Sequence, residues 1–289
     1  MCVVTLTVKP ERHGFGATVT GFLASTADDG LIDTLRRIWL DHQVLSFPDQ
    51  PMTPQDLTRF TRRFGDFGVD PFVAPLEGHD HVLEVRRESS ERVIPFGGTW
   101  HSDWSFQECP PGATLLHARE VPPRGGETLF ADGYRAFEAL STTLRSELEE
   151  MTALHSARRP YSPAGFLAGG GPQRSMKITP SDHANTITEH PLVRVHPETG
   201  RKALWVNRVY TIGIRGLGSQ ESERLLHSLC EHAVRDQFVF AHRWTRDTLC
   251  MWDNRCTQHC ALGGYDGYRR VMYRTVVAGD QPKGPRGGH

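Results

Sequence analysis

Two stretches far apart in the chain carry residue types that could hold a redox-active metal. The first is Thr99-Trp100-His101-Ser102-Asp103-Trp104. The second runs Trp252-Asp253-Asn254-Arg255-Cys256-Thr257-Gln258-His259 and is followed by Arg270 and Arg274. If 101 to 103 is extended, side chains two residues apart share a face, so His101 and Asp103 point at one spot. A second imidazole, His259, arriving from a distant strand completes a facial set of two His and one carboxylate. On an octahedral metal that set leaves open positions, as non-haem Fe(II) requires to hold a co-substrate and activate dioxygen.

The arginines sharpen this reading. In Arg269-Arg270-Val271-Met272-Tyr273-Arg274-Thr275-Val276-Val277, alternation puts Arg270, Met272, Arg274 and Val276 on one strand face. Facing a barrel interior, two guanidiniums would enter apolar surroundings, where an unpaired charge costs several kcal/mol. They need anions. Four residues at a strand's rise place them about 13 Å apart, enough for two separate anionic groups, one on a dicarboxylate co-substrate and one on the primary substrate.

With these motifs in order, the chain resembles the taurine/2,4-dichlorophenoxyacetate dioxygenase (TauD/TfdA) family of Fe(II)- and 2-oxoglutarate-dependent oxygenases. The resemblance covers nearly the whole length. It begins with Asp41-His42-Gln43-Val44-Leu45-Ser46-Phe47 and Arg63-Phe64-Gly65-Asp66. It continues through His101-Ser102-Asp103, Gly125-Gly126-Glu127-Thr128 and Asp253-Asn254-Arg255 into His259, and ends with Arg270 and Arg274.

The resemblance implies that His101, Asp103 and His259 ligate iron and that Thr128 and Arg270 bind the distal carboxylate of 2-oxoglutarate. It implies that Arg274 grips the substrate anion. Three positions depart from the taurine enzyme: Asp70 where it has a sulfonate-binding His, Gly97 where it has an Asn, and the large Trp104 after the carboxylate ligand. Taurine is therefore not the expected substrate. Asp70, Trp104 and Tyr210 join Arg274 as substrate-contact candidates, although Arg274 could instead pair with an acid such as Asp70. The implied reaction consumes dioxygen and 2-oxoglutarate, releases succinate and carbon dioxide, and hydroxylates an aliphatic C–H of a small organic or natural-product substrate. An intact Asp103 argues against halogenation; desaturation and ring closure stay open.

The rest of the chain must supply a scaffold that brings these residues together. Its 289 residues suffice for one large core, and we expect a single jelly-roll domain over 1–280 with a flexible tail over 281–289. Alternating stretches predict strands at Val3 to Val8, Val82 to Val85, Ala113 to Ala118, Thr128 to Ala131, Ala203 to Asn207, Phe238 to Arg243, Thr248 to Asp253 and Arg270 to Ala278. Leu31, Ile32, Leu35, Ile38 and Trp39 recur at helical spacing. Thr53-Pro54-Gln55-Asp56 reads as a capped helix start, and Ser219 as the cap of a helix with Leu225, Leu226, Leu229 and Ala233 on its apolar stripe. The fold class is thus mostly β with peripheral helices (α+β), a double-stranded β-helix of cupin type. Segments around 68–98 and 157–188, the latter holding Arg158-Arg159-Pro160-Tyr161 and Gly169-Gly170-Gly171-Pro172, lack clean periodicity and are read as lid insertions that exclude water.

Composition narrows the function classes. With 33 basic and 34 acidic residues, no global charge favours nucleic acid or an anionic membrane. The N-terminus lacks a signal-peptide pattern, so a cytoplasmic location is expected. The six cysteines form no framework spacing; Cys256 and Cys260 flank His259 but lack the partners of a closed zinc site. The expected partner is a small-molecule substrate, with a homo-oligomer compatible with the resemblance. The competing reading is a non-redox metal-dependent hydrolase or isomerase on a cupin-type barrel, which would need neither Thr128 nor an inward arginine.

Overall fold

The structure, a computed structural model, describes residues 6–168 and 174–285. Its largest element is a seven-stranded sheet in the order Thr7–Pro10, Ala17–Thr20, Val44–Phe47, Leu249–Asp253, Ala113–Glu120, Arg270–Val277, Leu83–Arg87. All neighbours are antiparallel except Ala17–Thr20 beside Val44–Phe47. The period-2 pattern sorts side chains cleanly. Leu45, Leu115, Leu249, Met251 and Val277 go to one face, against Leu35, Trp39, Leu57 and Phe60. Val44, Leu116, Cys250, Trp252 and Met272 go to the other.

The first face is covered by two helices that form as their caps dictate. Asp28 accepts from Leu31 N at the start of Asp29–His42, and Ile32, Leu35 and Trp39 are its buried stripe. Thr53 and Asp56 form a reciprocal capping box on Pro54–Arg62, a cap worth about 1 kcal/mol. The second face meets a three-stranded sheet, Val239–His242, Thr128–Asp132, Thr257–Ala261, which contributes Phe130 and Phe240 to the shared core. Between these two sheets lies the functional site.

A further sheet, Thr211–Ile214, Thr152–His155, Thr188–Pro191, packs with the helix Ser219–Ala233 through Ile214, Leu192, Leu226 and Leu229. The cap of that helix differs from expectation. Gly218 is the N-cap and no side chain caps it, because Ser219 is already the first helical residue. The strand expected over Ala203 to Asn207 is Lys202–Leu204, paired with Val193–Val195. The expected tail is partly tied down, since Lys283 O accepts from Val195 N at 2.8 Å. Residues 1–5, 286–289 and the glycine-rich Gly169–Pro172 stretch lie outside the described residues. No helix among the described residues is long and apolar enough to cross a membrane.

The two expected lid segments touch each other. Ala74 N donates to Lys177 O at 3.2 Å and Thr179 N to Phe72 O at 2.9 Å, Val73 bridges Ile178, and the Phe72 ring stacks on Tyr161 at 4.6 Å.

Candidate active site

His101 and His259 come together through backbone. His101 N donates to His259 O at 3.1 Å and His259 N to His101 O at 2.8 Å, an antiparallel bridge that puts the two imidazole centroids 4.2 Å apart. Asp103 follows in a turn, and its Oδ1 lies 3.6 Å from His101 Nε2 and 3.9 Å from His259 Nε2. One donor atom from each of the three residues falls within 4.8 Å of the other two. All three are buried.

Hydrogen bonds aim two of these three ligands, while His259 Nδ1 has no partner among the described residues. His101 Nδ1 lies 2.7 Å from the Thr99 carbonyl, which only accepts, so Nδ1 carries the proton and Nε2 turns a lone pair inward. Asp103 Oδ2 accepts from Thr114 Oγ1 at 2.6 Å. Thr114 accepts from Asn254 Nδ2 at 2.8 Å, and Asn254 Oδ1 accepts from Trp252 Nε1 at 3.0 Å. That chain leaves Oδ1 to face the imidazoles, with Arg274 Nη2 3.1 Å away. Burial alone would raise the Asp103 pKa, but the Arg274 guanidinium and the two imidazoles hold it well below the usual carboxylate range. Burial and the neighbouring His101 lower His259 to about 3. Two imidazole nitrogens with an ionised carboxylate are the donor set that a divalent metal with open positions needs, so the residues present fit Fe(II).

Arg270 is buried, and its Nε and Nη2 find no partner among the described residues. Burial lowers its pKa. An unpaired guanidinium in such a place calls for an anion. Its guanidinium lies 5.9 Å from the Trp244 ring, whose Nε1 donates to Thr128 Oγ1 at 2.9 Å, so Thr128, Trp244 and Arg270 form one cluster. Gly126, with φ +73°, lies where a Cβ would come 3.5 Å from Arg270 Nε; the Gly-Gly turn brings the loop onto the arginine.

Arg274 is placed otherwise than a free substrate anchor would be. Its Nη1 pairs with Asp70 Oδ1 at 2.5 Å and its Nη2 lies 3.1 Å from Asp103 Oδ1; Asp70 also accepts from Trp104 Nε1. These carboxylates raise the Arg274 pKa against the effect of burial. Trp104 adopts a left-handed φ of 45°, a conformation costing about 1–3 kcal/mol for a bulky residue, and its indole lies 5.3 Å from the Arg274 guanidinium. A cavity of about 690 Å³ opens over His101 and Asp103, walled by Trp104, Tyr210, Phe96, Tyr161, Leu167 and Val209. Asp70 and Arg274 do not line it. The two satisfy each other, the alternative already open in the sequence, because neither charge could stay buried alone. Thr114, Trp244 and Tyr161 escaped sequence reasoning. Only Tyr161 left a trace, in a segment already noted for its irregularity.

A second cluster, His196, Asp253 and Cys256, has metal-like spacing but is bonded out. His196 Nδ1 accepts from Glu198 N and Thr199 N, its Nε2 faces Asp253 at 3.0 Å, and Arg255 engages both Asp253 oxygens. A cation already fills the site.

A family model described as taurine catabolism dioxygenase TauD, TfdA family matches residues 7–276. The chain belongs to that family. It is 34% identical over 278 residues to an (S)-phenoxypropionate/alpha-ketoglutarate-dioxygenase of Sphingobium herbicidovorans, covering 94% of this chain and 95% of that one. Among solved structures, a putative alpha-ketoglutarate-dependent taurine dioxygenase from Burkholderia xenovorans superposes with a TM-score of 0.82 at 30% identity, over 98% of this chain and 93% of that one. AAD-2 in complex with Mn(II) and N-oxalylglycine gives 0.78 at 28% identity, over 96% and 99%. The TauD/TfdA family consists of dioxygenases that use Fe(II), 2-oxoglutarate and dioxygen, and this chain is accordingly a 2-oxoglutarate-dependent dioxygenase. The non-redox hydrolase reading falls away.

Proposed function

We propose that the enzyme hydroxylates an aliphatic C–H of a small organic or natural-product substrate other than taurine, with His101, Asp103 and His259 as the iron ligands and Thr128 and Arg270 as the seat of the distal carboxylate of 2-oxoglutarate. The observation that carries this is a converged two-His-one-carboxylate set in a chain that also buries an unpartnered guanidinium. When bound, iron and 2-oxoglutarate supply the oxidative decarboxylation, to succinate and carbon dioxide, that makes an unactivated C–H reactive.

The chain's residues do the positioning. Thr99 and Thr114 fix the orientation of His101 and Asp103; Arg270, whose buried nitrogens lack a partner among the described residues, would take the carboxylate. Trp104 and Tyr210 wall the cavity that takes substrate. Asp70 occupies the guanidinium that would hold a sulfonate, and Gly97 offers no side chain, which supports a substrate other than taurine. We read the two facing sheets as a jelly roll, residues 1–280 as one domain, and the joined segments 68–98 and 157–188 as a lid that keeps water from the site.

The test is anaerobic titration of Fe(II)-loaded protein with 2-oxoglutarate, watched for a visible charge-transfer band. Its absence with metal content confirmed would overturn the ligand assignment.

A further inference from the structure

With Arg274 matched by Asp70 and Asp103, the cavity over His101 and Asp103 retains two cations without an ion-pair partner among the described residues, Arg174 and Arg92. Arg174 donates one hydrogen bond, to the Ile94 carbonyl at 2.8 Å. Among the described residues Arg92 donates to the Ser89 and Glu91 carbonyls, and its charge also acts on the exposed Asp266. The nearby Glu91 carboxylate feels the charge of Arg174 but spends its hydrogen bonds on Glu88 N, Ser175 N and the Ser175 hydroxyl. Arg92 and Ile94 are exposed and Arg174 is half-buried, whereas His101 and Asp103 are buried, so these charges stand at the mouth and those two ligands at the floor. Between them the wall is apolar and aromatic.

We propose that the substrate's anionic group is read at the cavity mouth by Arg174, with Arg92 beside it, and not by Arg274 next to the metal ligands. The substrate is then an organic acid with an aromatic or alicyclic body, whose charge lies at the opposite end from the carbon that reacts. A volume of about 690 Å³ is within the range of about 300–1,000 Å³ that takes a molecule of this kind whole. The apolar wall would hold the body, and the half-desolvated guanidinium would give a charge-assisted hydrogen bond to the acid. The inference rests on the proposed use of this cavity as the dioxygenase's substrate site.

The test uses anaerobic enzyme loaded with Fe(II) and 2-oxoglutarate. A series of ω-phenylalkanoic acids of graded chain length and their primary amides is titrated against the visible band, and succinate release is followed after admitting air. At least one acid should bind about tenfold or more tighter than its amide, the scale of one charge-assisted hydrogen bond. Arg174→Gln should erase that preference by weakening the acid alone, and Arg174→Lys should keep part of it, which separates charge reading from misfolding. The proposal is overturned if no acid outbinds its amide. It is equally overturned if Arg174→Gln preserves the preference, or if that variant weakens 2-oxoglutarate more than the acid, since Arg174 also borders the small cleft at Arg270. In each of those cases an intact iron–2-oxoglutarate band leaves the proposed function standing; a missing band would instead defeat that function.

Discussion

Asp70 and Arg274 form a buried ion pair at 2.5 Å, and the same guanidinium reaches the inward oxygen of Asp103 at 3.1 Å. A carboxylate carried by the chain itself thus fills a position where a substrate anion could otherwise sit. Removing one member of a buried pair costs about 3–5 kcal/mol when the other charge is stranded, and less here because Asp103 remains. Asp70→Asn should therefore lower the urea midpoint and make it sulfate-dependent, with added sulfate restoring stability that it does not give the parent enzyme. Equal sulfate response in both proteins would show that Asp70 does not block an anion seat.

Arg270 should behave in the opposite sense. Its unpartnered nitrogens burden the ligand-free protein, so Arg270→Met is expected to raise the melting temperature in the absence of 2-oxoglutarate. It should also weaken 2-oxoglutarate binding by roughly 10–100-fold, the loss of a charge-assisted contact. Stabilisation by saturating 2-oxoglutarate, which follows from mass action, should then largely vanish. Unchanged 2-oxoglutarate affinity would assign the carboxylate to another cation.

Thr114 never approaches the metal position but fixes Asp103 through Oδ2. Loss of such an outer hydrogen bond typically costs about 10–100-fold in metal affinity. Thr114→Val should show that loss in competition with a chelator, and Thr114→Ser, which keeps the hydroxyl, should not. If both variants bind metal like the parent, the Trp252-Asn254-Thr114 chain does not orient the ligand.

His155 and His190 are buried, and burial lowers both pKa values, His155 well below its ordinary value and His190 to about 4. An unfolded chain binds their protons near pH 6.5 and the folded one does not. Stability is thus complete above about pH 6.5 and should fall as pH drops toward 4, ahead of most carboxylates. His190→Gln, which retains a donor for the Gln107 carbonyl that His190 Nε2 meets, should remove up to ~1.4 kcal/mol per pH unit of that slope. An unaltered slope would mean that His190 already titrates normally in the native state.

Much of the site was legible because its chemistry is local in sequence. His101 and Asp103 are two apart, the Arg270–Val277 strand carries Arg270, Met272 and Arg274 at alternate positions, and Thr53 with Asp56 writes a cap that the structure reproduces. The pairing of Asp70 with Arg274 depends on two segments 204 positions apart and could be raised only as an alternative. Thr114 and Trp244 were silent for a related reason. A threonine inside a strand or a tryptophan after one has an adequate explanation in packing, and only the register of neighbouring strands turns its polar atom toward a ligand. The Ser219 cap failed on a shift of a single residue, since a serine at the first helical position looks the same in sequence as one before it.

The backbone bridge between His101 and His259 ties the assembly of the iron centre to the end of folding. Bringing those two amides together encloses roughly 160 residues, a closure whose entropy is recovered only by the contacts made inside the loop. The expected order is therefore a centre assembled late and not as the nucleus, with iron meeting a chain whose tertiary structure is already built.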